Sequence, residues 1–465
     1  MEQIKKSLRE STAVRWTALI LVSLTMLAAY FFVDMMAPLQ RLLEKGYGWQ
    51  PDVYGLFSGG EYVLNMFGFL IISGIILDKM GIRFTGLTAT ITMLLGGIIK
   101  FYGLTHYFNS GGFGYEFFNS FWTSVPASAK VATIGYAIFG IGVEMCGITV
   151  SKTIVKWFKG KEMALAMGME MATARMGASI AFFFSGAIAK IDTPSENPLN
   201  SIYFGLALLS MGFLLFLTYT FLDSKLDKET NETIDEGSSE EFKISDLAKI
   251  LTNRGFLLIS FLCVLFYSGV FPFLKYAVNM MQNKLGITGT AAGYISGLLP
   301  VGTIILTPLI GNYLDKKGKG ATLMIYGAAL LTLAHLTYAI VPLNTAIAIV
   351  AIVVLGVAFS LVPASMWPSV PKIVEDRYLG SAYALVFWIQ NIGLAIVPAF
   401  IGVVLKKVNP GVAERIQAGD VTAIYDYTVP MLIFAGLGLC AVFLGYLLKK
   451  EDKRKGYGLE LPNKK

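Results

Sequence analysis

The sequence predicts an all-α membrane protein of twelve transmembrane helices, arranged as two six-helix, pseudo-symmetric halves. Three observations predict it. Hydrophobic residues make up 55% of the 465 positions and charged residues only 15%, whereas a soluble domain carries about a quarter charged residues. Apolar stretches long enough to cross about 30 Å of hydrocarbon, roughly twenty residues each, recur about a dozen times. A Gly-x-x-x-Asp-Lys-x-Gly pattern occurs twice, each time closing the second span of its own half.

The first span runs from about residue 14 to 38 and carries Asp34 near its outer end. Met1-Glu-Gln-Ile-Lys-Lys leads into it without an Ala-x-Ala cleavage site, so it is expected to be a retained helix and not a removed signal. A loop with Gly46, Gly48 and Pro51 follows. The second span contains Glu61, reaches about Leu77 and closes in Gly74-Ile-Ile-Leu-Asp78-Lys79-Met-Gly81-Ile-Arg83; the third ends near Tyr102. Residues 105–130, rich in Gly, Ser and aromatics, form the longest outside loop. The fourth and fifth spans flank the link Trp157-Phe-Lys-Gly-Lys161. A turn at Asp192, Pro194 and Pro198 leads to the sixth, ending near Leu222. Residues 223–250 are charged and poor in apolar side chains, a linker that cannot bury enough surface for a core. Its end, residues 242–251, alternates at helical spacing and is expected on the membrane face. The remaining spans are expected at about 255–280, 290–314, 320–341, 345–367, 380–405 and 428–448. The predicted units are therefore bundles at 1–222 and 251–450, the linker between them, and a tail at 451–465.

The second half repeats the first at its motif: Gly311-Asn-Tyr-Leu-Asp315-Lys316-Lys-Gly318-Lys319 matches the earlier copy at the key positions. Two matched halves joined by a charged linker is the parallel-repeat plan of the major facilitator transporters, which this chain resembles. In that superfamily Gly74 and Gly311 would let a helix approach closely. Asp78 and Asp315 would face a helix N-terminus of the other half. Lys79, Arg83, Lys316 and Lys319 would lie among lipid phosphates. With Gly81 and Gly318 these residues form the expected conformational latch on the cytoplasmic side.

Charge placement excludes other classes. The net charge is +7, but most of the 38 Lys and Arg fall on the side of the linker and termini. That asymmetry puts both termini in the cytoplasm and implies contact with membrane lipid, not nucleic acid. Cys146, Cys263 and Cys440 lie in apolar spans, and His106 and His335 have no ligand cluster beside them, so neither disulfides nor a metal is expected. Gly160-Lys161 and Gly318-Lys319 lack a P-loop context, and no nucleophile elbow or zinc-peptidase pattern appears. No enzyme and no cofactor are expected.

Glu144, Glu170 and Arg175 carry charge inside apolar spans. A charge at bilayer depth costs a few kcal/mol and so faces a partner or a watery cavity. Glu144 and Arg175 are placed nearly symmetrically about the link at 159–160, so on antiparallel helices both lie roughly 20 Å from the surface. They read as the two ends of a site for a small zwitterion. Glu170, five residues from Arg175, points about 140° away from it. Asp34, Glu61, Glu170 and Lys275 are candidates for coupling or gating. Tyr30, Tyr267, Trp367, Trp388, Gln390 and Asn391 are candidates to line the cavity. A structural ion pair is the competing reading of Glu144 and Arg175.

Three stretches resemble the lysosomal dipeptide-transporter branch of the major facilitators and its bacterial relatives. They are Gly142-Val-Glu144-Met-Cys-Gly-Ile-Thr149; Lys156-Trp-Phe-Lys-Gly-Lys-Glu162 with Met169-Glu-Met-Ala-Thr-Ala-Arg175-Met-Gly177; and Trp367-Pro368, Leu379-Gly380-Ser-Ala-Tyr383 and Ile389-Gln390-Asn391-Ile-Gly393. The resemblance implies a carrier of short peptides, with Arg175 taking the carboxylate and Glu144 the α-amine. The one Asn-x-Thr, Asn231-Glu-Thr233, falls in the linker, and no dileucine signal is evident; a bacterial inner membrane is therefore expected. Glu61 has no match in the family pattern, so proton coupling stays open. A monomeric carrier is expected. The alternatives are a small organic-anion exchanger and, more distantly, a non-transporting receptor or scaffold.

Overall fold

The computed structural model describes residues 8–159, 161–230 and 249–462. Among these, eleven helices are long and apolar enough to cross a membrane. The remaining crossing is made in two pieces, helix Pro51–Met66 and the first part of helix Phe69–Leu104. Gly68 (φ 95°) breaks the chain between the pieces, and Gly81 (φ 74°) turns it at the membrane face. Residues 69–80 thus complete the second crossing and 82–104 make the third. Both turns need a positive φ that glycine adopts without a side-chain clash.

The first crossing is Thr12–Asp34. The fourth to sixth are Ala127–Phe158, Met163–Ile188 and Pro198–Thr230. The second half follows as Arg254–Leu285, Gly289–Lys317, Gly320–Ile340, Thr345–Met366, Leu379–Val408 and Thr428–Lys455. The sixth runs past its expected end at Leu222. Asp223 and Asp227, one turn apart, pair there with Lys156 at 2.9 Å each, and Arg83 pairs with Asp227 at 3.0 Å, so charged residues extend the helix. Residues 231–248, with Asn231–Thr233 and most of the expected helix at 242–251, lie outside the described residues.

Start and end of the chain share one face, called here the terminal face; the other is the far face. Between the halves, the second crossing packs on the eleventh and the fifth on the eighth. Backbone meets backbone there. A Cβ built on Gly59 would lie 2.1 Å from the Ala395 carbonyl oxygen, on Gly55 2.4 Å from that of Pro398, and on Gly402 2.1 Å from that of Pro51. Polar ties join the same region: Lys406 to Asp52 at 2.8 Å, the Gly289 amide to Asp192 at 2.9 Å, and the Tyr425 hydroxyl to Glu44. The polar ties named here all lie towards the far face. The halves are zipped there and part towards the terminal face.

The terminal face of the second half is capped by the chain's own tail. Lys319 and Gly320 donate their amides to the Glu460 and Leu459 carbonyls at 3.0 and 2.9 Å. The Glu460 carboxylate accepts from the Thr322 amide and hydroxyl at 2.8 and 2.7 Å, capping helix Gly320–Ile340.

Candidate substrate site

Glycines set the rotation of the two helices that carry the central charges. A Cβ on Gly140 would lie 1.8 Å from the Glu61 carbonyl oxygen, and one on Gly177 2.2 Å from that of Leu27. The fourth helix is thereby seated on the second, and the fifth on the first. Glu144 and Arg175 lie mid-helix, both about 20 Å from the helix ends at the link.

Glu144, Glu170 and Arg175 are half-buried. None of their side chains has a hydrogen-bond or ion-pair partner among the described residues, so Glu144 and Arg175 are not a closed structural pair. Their helices scarcely touch. The first helix packs on both and presents Tyr30, which lies within electrostatic reach of Arg175, Glu144 and Glu170. The fifth helix packs chiefly on the first, and the fourth on the second and third.

The second half supplies an aromatic wall. The Arg175 guanidinium lies 4.5 Å from the Phe359 ring centre and 5.9 Å from that of Phe271. A ring on the guanidinium's face leaves its edge N–H donors free for a carboxylate. Behind it Tyr267 stands edge-on to Phe359 and accepts from Trp367 Nε1 at 3.0 Å; Trp367 stacks on Phe387 at 4.6 Å.

Other candidates fall elsewhere. Trp388 donates to the Met66 carbonyl at 2.6 Å, across the halves, satisfying a helix end that the break at Gly68 left open. Gln390 and Asn391 are buried in helix packing: Gln390 accepts from Cys263 at 3.4 Å, and Asn391 bonds its own helix at Phe387. Asp34, Glu61 and Lys275 come together between mid-membrane and the far face. Lys275 Nζ is 3.0 Å from Asp34 and 3.4 Å from Glu61.

The latch glycines Gly74 and Gly311 do not meet the other half. Positions Gly74 and Gly311 have nothing within 4 Å of a built Cβ. Asp78 bonds Lys152 of its own half at 3.1 Å, and Arg83 reaches Asp223 and Asp227. Gly81, Gly318 and Lys319 hold left-handed turns, φ 74°, 70° and 67°. Lys79 and Lys316 are exposed, and Asp315 is half-buried. The close contact expected at Gly74 and Gly311 is absent because the terminal face is parted in this conformation.

Two residues escaped the sequence reading. Asp223, placed there in the linker, is buried and accepts from Lys156, Trp157 Nε1 and the Tyr219 hydroxyl. Lys100 is fully buried, with Nζ 4.4 Å from the ring centres of both Phe32 and Tyr136. A cavity of about 550 Å³ lies at the far face, under residues 106–128 and away from the charged pair.

The profile of the Major Facilitator Superfamily matches residues 22–398 and 276–460. The chain belongs to that superfamily. This major facilitator is a transporter and not an enzyme. It is similar to the "Lysosomal dipeptide transporter MFSD1" of Homo sapiens, 26% identical over 410 residues, covering 85% of this chain and 81% of that one. The protein of the same name from Gallus gallus is 30% identical over 294 residues, 62% of this chain and 63% of that one. Among solved structures, a bacterial homologue of the human lysosomal transporter Spinster, in an inward-facing and occupied conformation, aligns with TM-score 0.70 at 14% identity, covering 95% of this chain and 98% of that one. The nucleoside transporter NupG aligns with TM-score 0.67 at 14% identity, over 93% and 99%.

Proposed function

We propose that this major facilitator carries small zwitterions, most specifically dipeptides, by rocking of its halves about the gap between Glu144 and Arg175. One observation carries the reading: opposite charges at one membrane depth, without protein partners, on helices held apart by the first. An unpaired charge at that depth needs water or ligand. A peptide's ammonium at Glu144 and its carboxylate at the Arg175 edge would pair both. Tyr30 and the Tyr267–Phe359–Trp367 wall would enclose the side chains. The basic surplus supports placing the terminal face in the cytoplasm of a cell inner membrane.

The test is thermal stabilisation of the purified protein by dipeptides, amino acids and dicarboxylates. A ligand at a hundred times its Kd adds about 2.7 kcal/mol. The expected result is stabilisation by Ala-Ala, lost when its termini are capped and lost in Arg175→Ala and in Glu144→Gln. Stabilisation by dicarboxylates alone, surviving Glu144→Gln, would overturn the peptide reading in favour of an anion exchanger.

A further inference from the structure

We propose that residues 106–122, which join the third and fourth crossings at the far face, are an interfacial membrane anchor. Their outward aromatic rings dock into the headgroup and upper acyl region of the far leaflet. The proposal goes beyond the carrier reading and does not depend on its substrate.

The segment displays rings that a water-facing loop would hide. Tyr107, Phe113, Phe117, Phe121 and Trp122 are all exposed, Phe113 at 86%. Large apolar groups gathered and exposed in this way mark a contact surface. The display is also held firmly. Beneath it Phe108 packs with Tyr102, Tyr115 and Phe118 as a small core of its own. The Lys130 ammonium turns inward and donates to the Phe118 carbonyl at 2.6 Å and to that of Phe121. The Tyr102 hydroxyl donates to the Phe113 carbonyl at 2.8 Å. Trp122 holds φ 45°, a left-handed conformation unfavourable for any residue with a side chain. The chain bends there against its preference, and the indole is left exposed.

Position identifies the partner. Along the third crossing, Phe84, Ile91, Leu95 and Ile98 are exposed at helical spacing, a stripe that faces acyl chains. The next residue on that stripe is Tyr102, whose ring lies 6.3 Å from that of Tyr107. The aromatic segment therefore continues a surface that already meets lipid. Tyr102 stands about 30 Å along the helix from the turn at Gly81, at about 1.5 Å per residue, and the hydrocarbon core is about 30 Å thick. The segment thus starts at headgroup level. Tyr and Trp are favoured at that level because the ring is apolar while its O–H or N–H stays wet. Charge agrees with this reading. No Lys or Arg falls between Thr105 and Pro126, where Glu116 is the one carboxylate. An acidic protein surface would find no cation to pair with, whereas a zwitterionic bilayer needs none.

Depth-resolved quenching of the purified full chain in phosphatidylcholine liposomes tests this. Of the native cysteines Cys440 alone is exposed. Fluorescent labels therefore go on Phe113→Cys, Phe117→Cys and Ser195→Cys, each combined with Cys440→Ser. Ser195 lies on the exposed turn between the fifth and sixth crossings and serves as the aqueous reference. A nitroxide carried at shallow acyl depth should quench the labels at 113 and 117. Iodide on both sides of the bilayer should quench them several-fold less than the label at 195. Iodide reaching 113 and 117 as freely as 195 overturns the proposal. Protection present in cell membranes but absent in these liposomes also overturns it and assigns the surface to a protein partner. Without any label, brominated phosphatidylcholine should quench a larger share of the tryptophan emission in the unaltered chain than in Trp122→Phe. An equal share in both overturns the proposal as well.

Discussion

Charges inside apolar runs stand out in a sequence, and that made Glu144 and Arg175 readable. The same signal was present for Lys100, but it lies four residues from the end of helix Phe69–Leu104. A lysine there normally snorkels to the surface. The rings of Phe32, Phe57 and Tyr136 decide otherwise, and they come from three other segments that no local pattern joins to it. Replacing a buried unpaired charge by an apolar residue of similar size is often neutral or stabilising. Lys100→Met is therefore expected to keep or raise the melting temperature in a thermal scan. Phe359 meets Arg175 through its ring, 4.5 Å from the guanidinium. Phe359→Leu should thus weaken Ala-Ala binding by less than about 2 kcal/mol, while Arg175→Ala abolishes it; titration calorimetry separates the two.

At the scale of elements, twelve crossings and the turn at each motif copy were legible because length, hydropathy and paired glycines mark them. Helix ends were not. Residues 223–230 read as linker because they are charged, yet their ion pairs with Arg83 and Lys156 make them helix. Nor does the sequence announce the break at Gly68, since one glycine in an apolar run fits a continuous helix. The tail's role as a cap was likewise hidden, because Glu460 meets Thr322 only in three dimensions. Glu460→Ala should cost about 1 kcal/mol, seen as a lower melting temperature and faster hydrogen–deuterium exchange at 320–323. The far-face loop at 409–427 should behave differently in acid. Asp420 accepts from Thr422 and Arg415, which holds its carboxyl down at about 2. A depressed carboxyl stabilises the fold above its ordinary range, and that contribution is lost only as pH falls through the folded value. Loop exchange should be unchanged between about pH 7.5 and about pH 5.5.

For the whole molecule, the sequence foretold two halves but not which face they would close. That follows from contacts between distant segments: Lys406 with Asp52, Lys275 with Asp34 and Glu61, Trp388 with Met66. The repeated motif pointed to the terminal face as the place where the halves grip, and in this conformation they grip at the other end. The contact at Gly55, Gly59 and Gly402 bears on speed. Interlocked side chains part only as fast as they can change rotamer, and each rearrangement adds roughness to the path. Here backbone meets backbone with one side chain between, the Tyr276 hydroxyl that donates to the Pro398 carbonyl at 2.8 Å. Parting the seam therefore needs few rotamer changes beyond that of Tyr276, and water must reach the Pro51, Ala395 and Pro398 carbonyls. Filling that seam with Gly59→Ala should hinder closure and slow turnover even where binding at mid-membrane is unchanged.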